Sequence, residues 1–317
     1  MFTISLAPIR GITDSTMRSA LARHFGGIDS AVAPFIRLGR QSTKANLLRD
    51  LDPSRNQQLT VVPQILGNDP DQFLSVASRL IDLGYPEVNW NLGCPFPTAI
   101  KKIQGAGLLA EHNRIIDFLD RVMPALALSL SIKTRLGLSQ PTDLGKLLPK
   151  LDDYPLKEII IHPRTAKQVY DGQVDLERFA EALGCTKHAV VYNGDITSSE
   201  IAKDLADRFP NVGGWMIGRG LLTNPHLGQE IKTGSTLTVE EGARKVRLFH
   251  DDLYSSYRQQ QSGPAHFLDK MKGIWSYLGY FIGADRKFFK KLRKIKKVSD
   301  YDRLVAEALE KFSSQPT

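Results

Sequence analysis

The stretch from Val88 to Pro97 reads VNWNLGCPFP. Apolar and polar residues alternate over Val88, Asn89, Trp90 and Asn91, the period-two pattern of a β-strand, and the run then breaks into Gly93, Cys94 and Pro95, residues that impose a tight turn. Where that turn lies in the fold decides whether the thiol serves packing or chemistry.

The pattern recurs along the chain. Short runs rich in Val and Ile stand at FTISLAP (2–8), IDSAVAPF (28–35), TVVPQIL (60–66), EVNWN (87–91), LSLSIKT (128–134), KEIIIHP (157–163), AVVYNG (189–194) and GGWMIG (213–218). Longer stretches of helical spacing separate them, such as the one from Pro70 to Leu83 behind the Asn68-Asp69 start signal and the one from Ser198 to Phe209. Eight strands alternating with helices predict an α/β fold, a (β/α)8 TIM barrel, with an open doubly wound sheet as the alternative because strand order is not written in sequence. After Thr233-Gly234-Ser235 the strand pattern stops, and helical periodicity covers 239–260, 264–282, 284–295 and 299–312. The expected organisation is a barrel domain over 1–235 followed by an all-helical bundle over 236–317.

Composition narrows the function classes. Of 317 residues, 42% are hydrophobic and 24% charged, the balance of an ordinary folded protein rather than a disordered one. No apolar run approaches the ~18 to 20 residues of a membrane helix, and the first residues lack a basic leader, so a cytoplasmic protein without a membrane partner is expected. Cys94 and Cys185 are expected to be reduced, and no Cys/His cluster points to a metal. The net charge of +8 is uneven: from Leu237 onward 16 Lys and Arg face 10 Asp and Glu, a net +6 that leaves +2 for the rest. Within this tail, Arg286 to Lys297 reads RKFFKKLRKIKK, eight cations without an acid, with Phe288, Phe289, Leu292 and Ile295 at helical spacing. One face of such a helix packs while the other offers charge to a phosphate backbone, although a membrane surface or a partner helix attracts the same pattern.

In a barrel, catalytic residues sit at the C-terminal strand ends. Those ends carry Pro8-Ile9-Arg10, Gln64, Asn91 to Cys94, Lys133 and Arg135, His162 and Arg164, Asn193 to Asp195, and Gly218 to Gly220, each polar or glycine-rich. The Gly218-Arg219-Gly220 turn suits a phosphate, because glycines allow close backbone approach and Arg219 adds charge, and Asn224-Pro225 is expected to open a helix beyond it.

Taken in order, the motifs AP-x-x-G-x-T-D (7–14), Gln64, N-x-G-C-P (91–95), G-x-G-L-L (105–109), K-x-R-x-G (133–137), H-x-R-T (162–165), N-G-D-I (193–196) and IGRG (217–220) resemble the tRNA-dihydrouridine synthases. KGIWSYL (272–278) and FIRL (35–38) are most similar to the C-type bacterial branch, which acts on uridine 16. This resemblance implies a barrel that binds FMN through Pro8, Ile9, Arg10, Gln64, Lys133, His162, Asn193, Gly194, Asp195, Gly218 and Arg219, with NADPH as a transient electron donor. It implies that Asn91 faces the uracil and that a helical domain grips tRNA. His162 and Arg164 are expected near flavin phosphate, uracil or RNA, and Lys272, Arg286, Lys290, Arg293 and Lys297 on the RNA. Reduction of the uracil 5,6 double bond needs a hydride at carbon 6 and a proton at carbon 5, and Cys94, a thiol protonated at neutral pH, is the expected acid. A monomer is expected. Asn89 stands where the family usually has aspartate, Ile9 where it has methionine, and Pro163 where it has glycine. Two other readings stay open at this level: a tRNA-binding protein without turnover, and a flavin oxidoreductase for a small pyrimidine.

Overall fold

The computed structural model describes residues 2–39 and 48–314. Among them are ten strand segments: β1 (Thr3–Leu6), β2 (Ser30–Val32), β3 (Ile36–Arg37), β4 (Thr60–Val62), β5 (Gln64–Leu66), β6 (Glu87–Leu92), β7 (Ser129–Gly137), β8 (Ile159–Thr165), β9 (Val190–Tyr192) and β10 (Gly214–Ile217). Every pairing is parallel, in the order β3-β5-β6-β7-β8-β9-β10-β1-β2-β4. Ten segments arise from eight strands because Pro34 and Pro63, which have no N–H for the ladder, interrupt two of them. The ring still closes at Pro63: β4 before it pairs with β2, and β5 after it pairs with β6. Backbone bonds from Ala33 N to Val62 O (2.9 Å) and from Asn89 N to Pro63 O (2.8 Å) carry the pairing past the proline. The open-sheet alternative is thereby excluded.

Helices cover the outside. Asp69 caps Pro70–Asp82 and Ser198 caps Ser199–Arg208, each side chain accepting from a first-turn N–H. Val88, Trp90 and Leu92 are fully buried on the outer face, where Trp90 stacks on Phe118 at 4.0 Å between ring centres. Inside the ring, Ala7, Val32, Ile160, Val191 and Met216 form a separate apolar cluster. The rest of the interior, on β5, β6 and β7, is polar: Gln64, Asn89 and Ser131 are buried there and bonded to one another.

All described strands precede Gly234, and the helices Val239–Gln260, Pro264–Phe281, Arg286–Lys294 and Val298–Ser313 follow it. No helix among the described residues is long and apolar enough to cross a membrane. The first of these helices opens with a capping box between Thr238 and Glu241 and lays Phe249 against Phe25 at the end of Ser15–His24. Asp14 ties the two parts together. Its carboxylate caps Met17 N (3.1 Å), accepts from Tyr257 Oη (2.6 Å) and pairs with Lys270 Nζ (2.6 Å). Lys270 also donates to Gly11 O at 2.7 Å. These contacts seat Pro264–Phe281 so that Ser276, Tyr277 and Tyr280 overhang the C-terminal strand ends.

Replacing Asp14 by alanine removes a cap, the acceptor of a buried tyrosine and the partner of a mostly buried lysine. We expect Asp14→Ala to lower stability by at least about 2 kcal/mol in chemical denaturation.

Candidate active site

The C-terminal strand ends surround a cavity of about 1140 Å3. Cys94, Pro8, Ile9, Arg10, Gln64, Lys133, His162, Asn193, Gly194, Asp195, Gly218, Arg219, Asn91 and Arg164 all line it. Lys272, Arg286, Lys290, Arg293 and Lys297 do not. The last four are exposed on the tail, and Lys272 Nζ is engaged by Ile295 O (3.1 Å) and Asp269 (3.5 Å).

The Gly93-Cys94-Pro95 turn is held from three sides. Asn91 Oδ1 accepts from Gly93 N (3.0 Å) and Cys94 N (2.8 Å). Arg135 donates to Gly93 O (3.0 Å), Thr165 O (2.9 Å) and Val169 O (2.7 Å). On the third side Ala106 N donates to Cys94 O at 3.1 Å, and Gly105, at φ +57°, packs so close that a Cβ there would meet Cys94 Cβ at 2.8 Å. This contact accounts for the glycine of the G-x-G motif. Cys94 is buried, and burial pushes its thiol above the usual value despite nearby Arg37, Arg10 and Arg135, so it stays protonated at neutral pH.

The neighbouring strands add cationic side chains, beginning with Lys133, which pairs in register with Asn91. Burial, reinforced by Arg135, pulls Lys133 down to about 7, and among the described residues its ammonium has no hydrogen-bond or ion-pair partner. His162 lies well below its usual value through burial and then Arg135, Lys133, Arg164 and Arg219, so its ring is neutral. Because the Arg164 guanidinium can only donate, its 3.2 Å contact makes His162 Nε2 the acceptor and puts the ring proton on Nδ1. Asp195, in the left-handed region at φ +42°, bridges Arg164 (2.5 Å) and Arg219 (2.8 Å). Arg219 also lies over the Tyr170 ring at 4.5 Å. Asn193 Nδ2 donates to Met216 O (2.7 Å), fixing its loop on the neighbouring strand. A Cβ on Gly220 would sit 2.0 Å from Ile196 O, and one on Gly218 3.3 Å from Ala7 Cβ. The Gly218-Arg219-Gly220 turn therefore lines the cavity with backbone. Asn224, expected to open an anion-binding helix, instead bonds His226 N and Glu230 away from the cavity.

Sequence reasoning missed several cavity residues. Arg135 stood in a quoted motif but received no role. Tyr170 lies five residues beyond H-x-R-T, a signal of position without one of chemistry. Ser276, Tyr277 and Tyr280 reach the site only through the docking of the tail, which no local pattern reports.

A family model for dihydrouridine synthases matches residues 5–314. The chain belongs to the dihydrouridine synthase family. A tRNA-dihydrouridine(16) synthase of Pseudomonas putida is 32% identical over 240 residues, covering 72% of each chain. A tRNA-dihydrouridine synthase B of Pseudomonas aeruginosa is 28% identical over 229 residues, 71% of this chain and 68% of that one. Among solved structures, the old yellow enzyme from Trypanosoma cruzi overlays with a TM-score of 0.53 at 12% identity, covering 74% of this chain and 89% of that one. Morphinone reductase gives a TM-score of 0.52 at 11% identity over 75% and 87% of the two chains. At these identities the likeness establishes the barrel. The family places the enzyme among flavin oxidoreductases.

Lys133 yields a pH prediction. Its value is depressed in the folded protein, so between about 7 and the ordinary 10.5 the unfolded chain binds the extra proton and stability rises with pH. The flavin-free Lys133→Met variant should therefore exceed the parent in stability most below pH 7. The difference should shrink as pH climbs through that window, as read from denaturation midpoints.

Proposed function

We propose that this chain is a tRNA-dihydrouridine synthase that reduces uridine 16 of tRNA with FMN as its bound cofactor and NADPH as electron donor. The observation that carries the reading is the presence, in one cavity and on adjacent strands, of a buried protonated thiol at Cys94 and a lysine at Lys133 that has no partner among the described residues. The residues present fit FMN: Gly218 and Gly220 allow backbone approach, Arg164 and Arg219 offer charge to a phosphate, and Lys133 offers a cation to an anionic ring. Pro8, Ile9, Arg10, Gln64, His162, Asn193, Gly194 and Asp195 complete its walls. Bound in reduced form, the flavin supplies the hydride for carbon 6 of uracil.

The protein's own part is to orient the base and deliver a proton. Asn91 spends its oxygen on the Cys94 turn and one N–H on Gln64, which leaves its second N–H for a uracil carbonyl. Cys94 Sγ–H gives its proton to carbon 5 as the carbon–hydrogen bond at carbon 6 forms, and the thiolate is reprotonated from solvent. Arg37, Arg10 and Arg135 stabilise that transient thiolate. Tyr280, Phe96 and Tyr170, exposed at the cavity mouth, exclude water once RNA covers them.

Arg286, Lys290, Arg293 and Lys297 are exposed and, among the described residues, without a carboxylate partner, while Phe288 and Leu292 anchor the helix that carries the first three. They bind the RNA backbone, and Lys272 supports them by holding Ile295. Uridine 16 is supported by the position named for the P. putida relative and by the KGIWSYL and FIRL segments. The same reading makes the protein a cytoplasmic monomer.

Cys94→Ala should retain a yellow, flavin-bound protein yet form dihydrouridine in tRNA about 10^2 to 10^4-fold more slowly. A colourless wild type that binds tRNA without turnover would overturn the reading. Changing Arg286, Lys290, Arg293 and Lys297 together to glutamine should reduce the log–log salt slope of tRNA affinity by roughly 3.

A further inference from the structure

Beneath the cavity the barrel interior holds an unbroken hydrogen-bonded column. Backbone N–H groups of Gly93 and Cys94 donate to Asn91 Oδ1, at 3.0 and 2.8 Å. Asn91 Nδ2 donates to Gln64 Oε1 (2.7 Å), Gln64 Nε2 to Asn89 Oδ1 (2.7 Å), and Asn89 Nδ2 to Ser131 Oγ (2.9 Å). Ser131 donates to Glu87 Oε1 (2.9 Å), whose other oxygen pairs with Lys157. Gln64, Asn89 and Ser131 are all but inaccessible to solvent.

The direction of every bond is forced. Backbone N–H groups only donate, so Asn91 must present oxygen upward and nitrogen downward, and each amide below inherits the same sense. A carboxylate only accepts, so Glu87 terminates the series. We propose that Glu87, Ser131 and Asn89 are positioning residues that orient the amides of Gln64 and Asn91 and through them aim the Cys94 turn, and that amide rather than carboxylate chemistry at position 89 is required for this.

The carboxylate that Asn89→Asp introduces accepts from Gln64 but cannot donate to Ser131. Ser131 would turn its hydrogen toward that carboxylate, leaving Glu87 one donor short, and two carboxylates would share a buried column in which Lys157 is the bonded cation. The floor already carries excess acid, since burial and then Glu87 push Glu158 upward. Moving the carboxylate restores the pattern. With Asn89→Asp and Glu87→Gln together, the carboxylate at position 89 accepts from Gln64 and Ser131, and Ser131 accepts from the new amide N–H at position 87. The oxygen of that amide then accepts from Lys157. Each single change leaves a donor or acceptor unmatched.

The functional meaning rests on Cys94 being the acid, but the test measures the turn itself. In a Cys185→Ser background, iodoacetamide alkylation of Cys94 at one pH is compared for the parent, Asn89→Asp, Glu87→Gln, Ser131→Ala and the double swap. The bound-flavin spectrum and kcat and KM on tRNA are recorded alongside. A loosened turn exposes the thiol, so each single variant should alkylate about tenfold faster and lose kcat more than KM. The double swap should return alkylation, spectrum and kcat toward the parent. Folded single variants that alkylate at the parent rate would overturn the proposal, as would a double swap no closer to the parent than its components. Should Asn89→Asp fail to fold, recovery by the double swap supports the proposal and its absence refutes it. An error in the acid assignment would appear separately, as activity retained in Cys94→Ala.

Discussion

The parallel ladder can close only with all eight strands running the same way. Closure therefore delivers every strand-to-helix reversal to one rim. That constraint turns residues scattered from Pro8 to Arg219 into one cavity, and it dictates which side chains face inward there. It also sets the electrostatic problem of the site. Lys133, Arg135, Arg164 and Arg219 converge on a poorly hydrated space with Asp195 as the carboxylate bridging two of them. Arg135 is satisfied by three backbone carbonyls, and the terminal nitrogens of Arg164 bond Gly172, His162 and Asp195 while its buried Nε has no partner, whereas Lys133 has none among the described residues and is left to a ligand. A cavity built this way favours an anionic occupant, because bringing one in relieves the mutual repulsion of its walls.

The second dependence runs from the rim to the tail. Asp14 ends the first barrel loop, and its bonds to Tyr257 and Lys270 tie that loop to two tail helices at once. The helix that supplies Tyr277 and Tyr280 to the cavity mouth is thus positioned by the barrel's own first turn. The basic helix Arg286–Lys294 packs on that same segment, with Phe289 against Tyr280 at 4.8 Å between ring centres. The basic helix and the cavity are consequently one mechanical unit.

The fold was legible because period-two runs and helical spacing are local signals, and the site was legible because motif residues cluster where strands end. Other features were not. Pro34 and Pro63 divide strands that read as continuous, because apolar run length says nothing of a missing N–H. Asn89 read as a departure from a family pattern near the site. In the structure it is the middle of a column whose other members, Ser131 and Glu87, lie 42 residues ahead and two behind and meet only across strands. The alternation of EVNWN was correctly read as a strand, but its inward face is polar, a choice made by neighbouring strands and invisible in any one of them. Lys272 likewise read as a contact for RNA, whereas its ammonium is spent on a helix end that only tertiary packing brings near.

In the proposed mechanism, the choice of a thiol as the acid follows from the same crowding of cations. A carboxylic acid placed at position 94 starts from a reference value of about 4, so with Arg10, Arg37 and Arg135 opposing the effect of burial it would arrive at the base without its proton. A thiol starts from a much higher reference value, so the same cations lower it only part-way, and its burial more than offsets them. Those charges then act mainly on the thiolate that forms as the proton leaves. The residue is thus neutral before transfer and stabilised after it, the differential that a general acid requires. Burial is what makes that balance hold. The turn must keep Cys94 packed against Gly105, which its Cβ and carbonyl oxygen approach closely, and the bonds that Asn91 and Arg135 make to the turn hold it there.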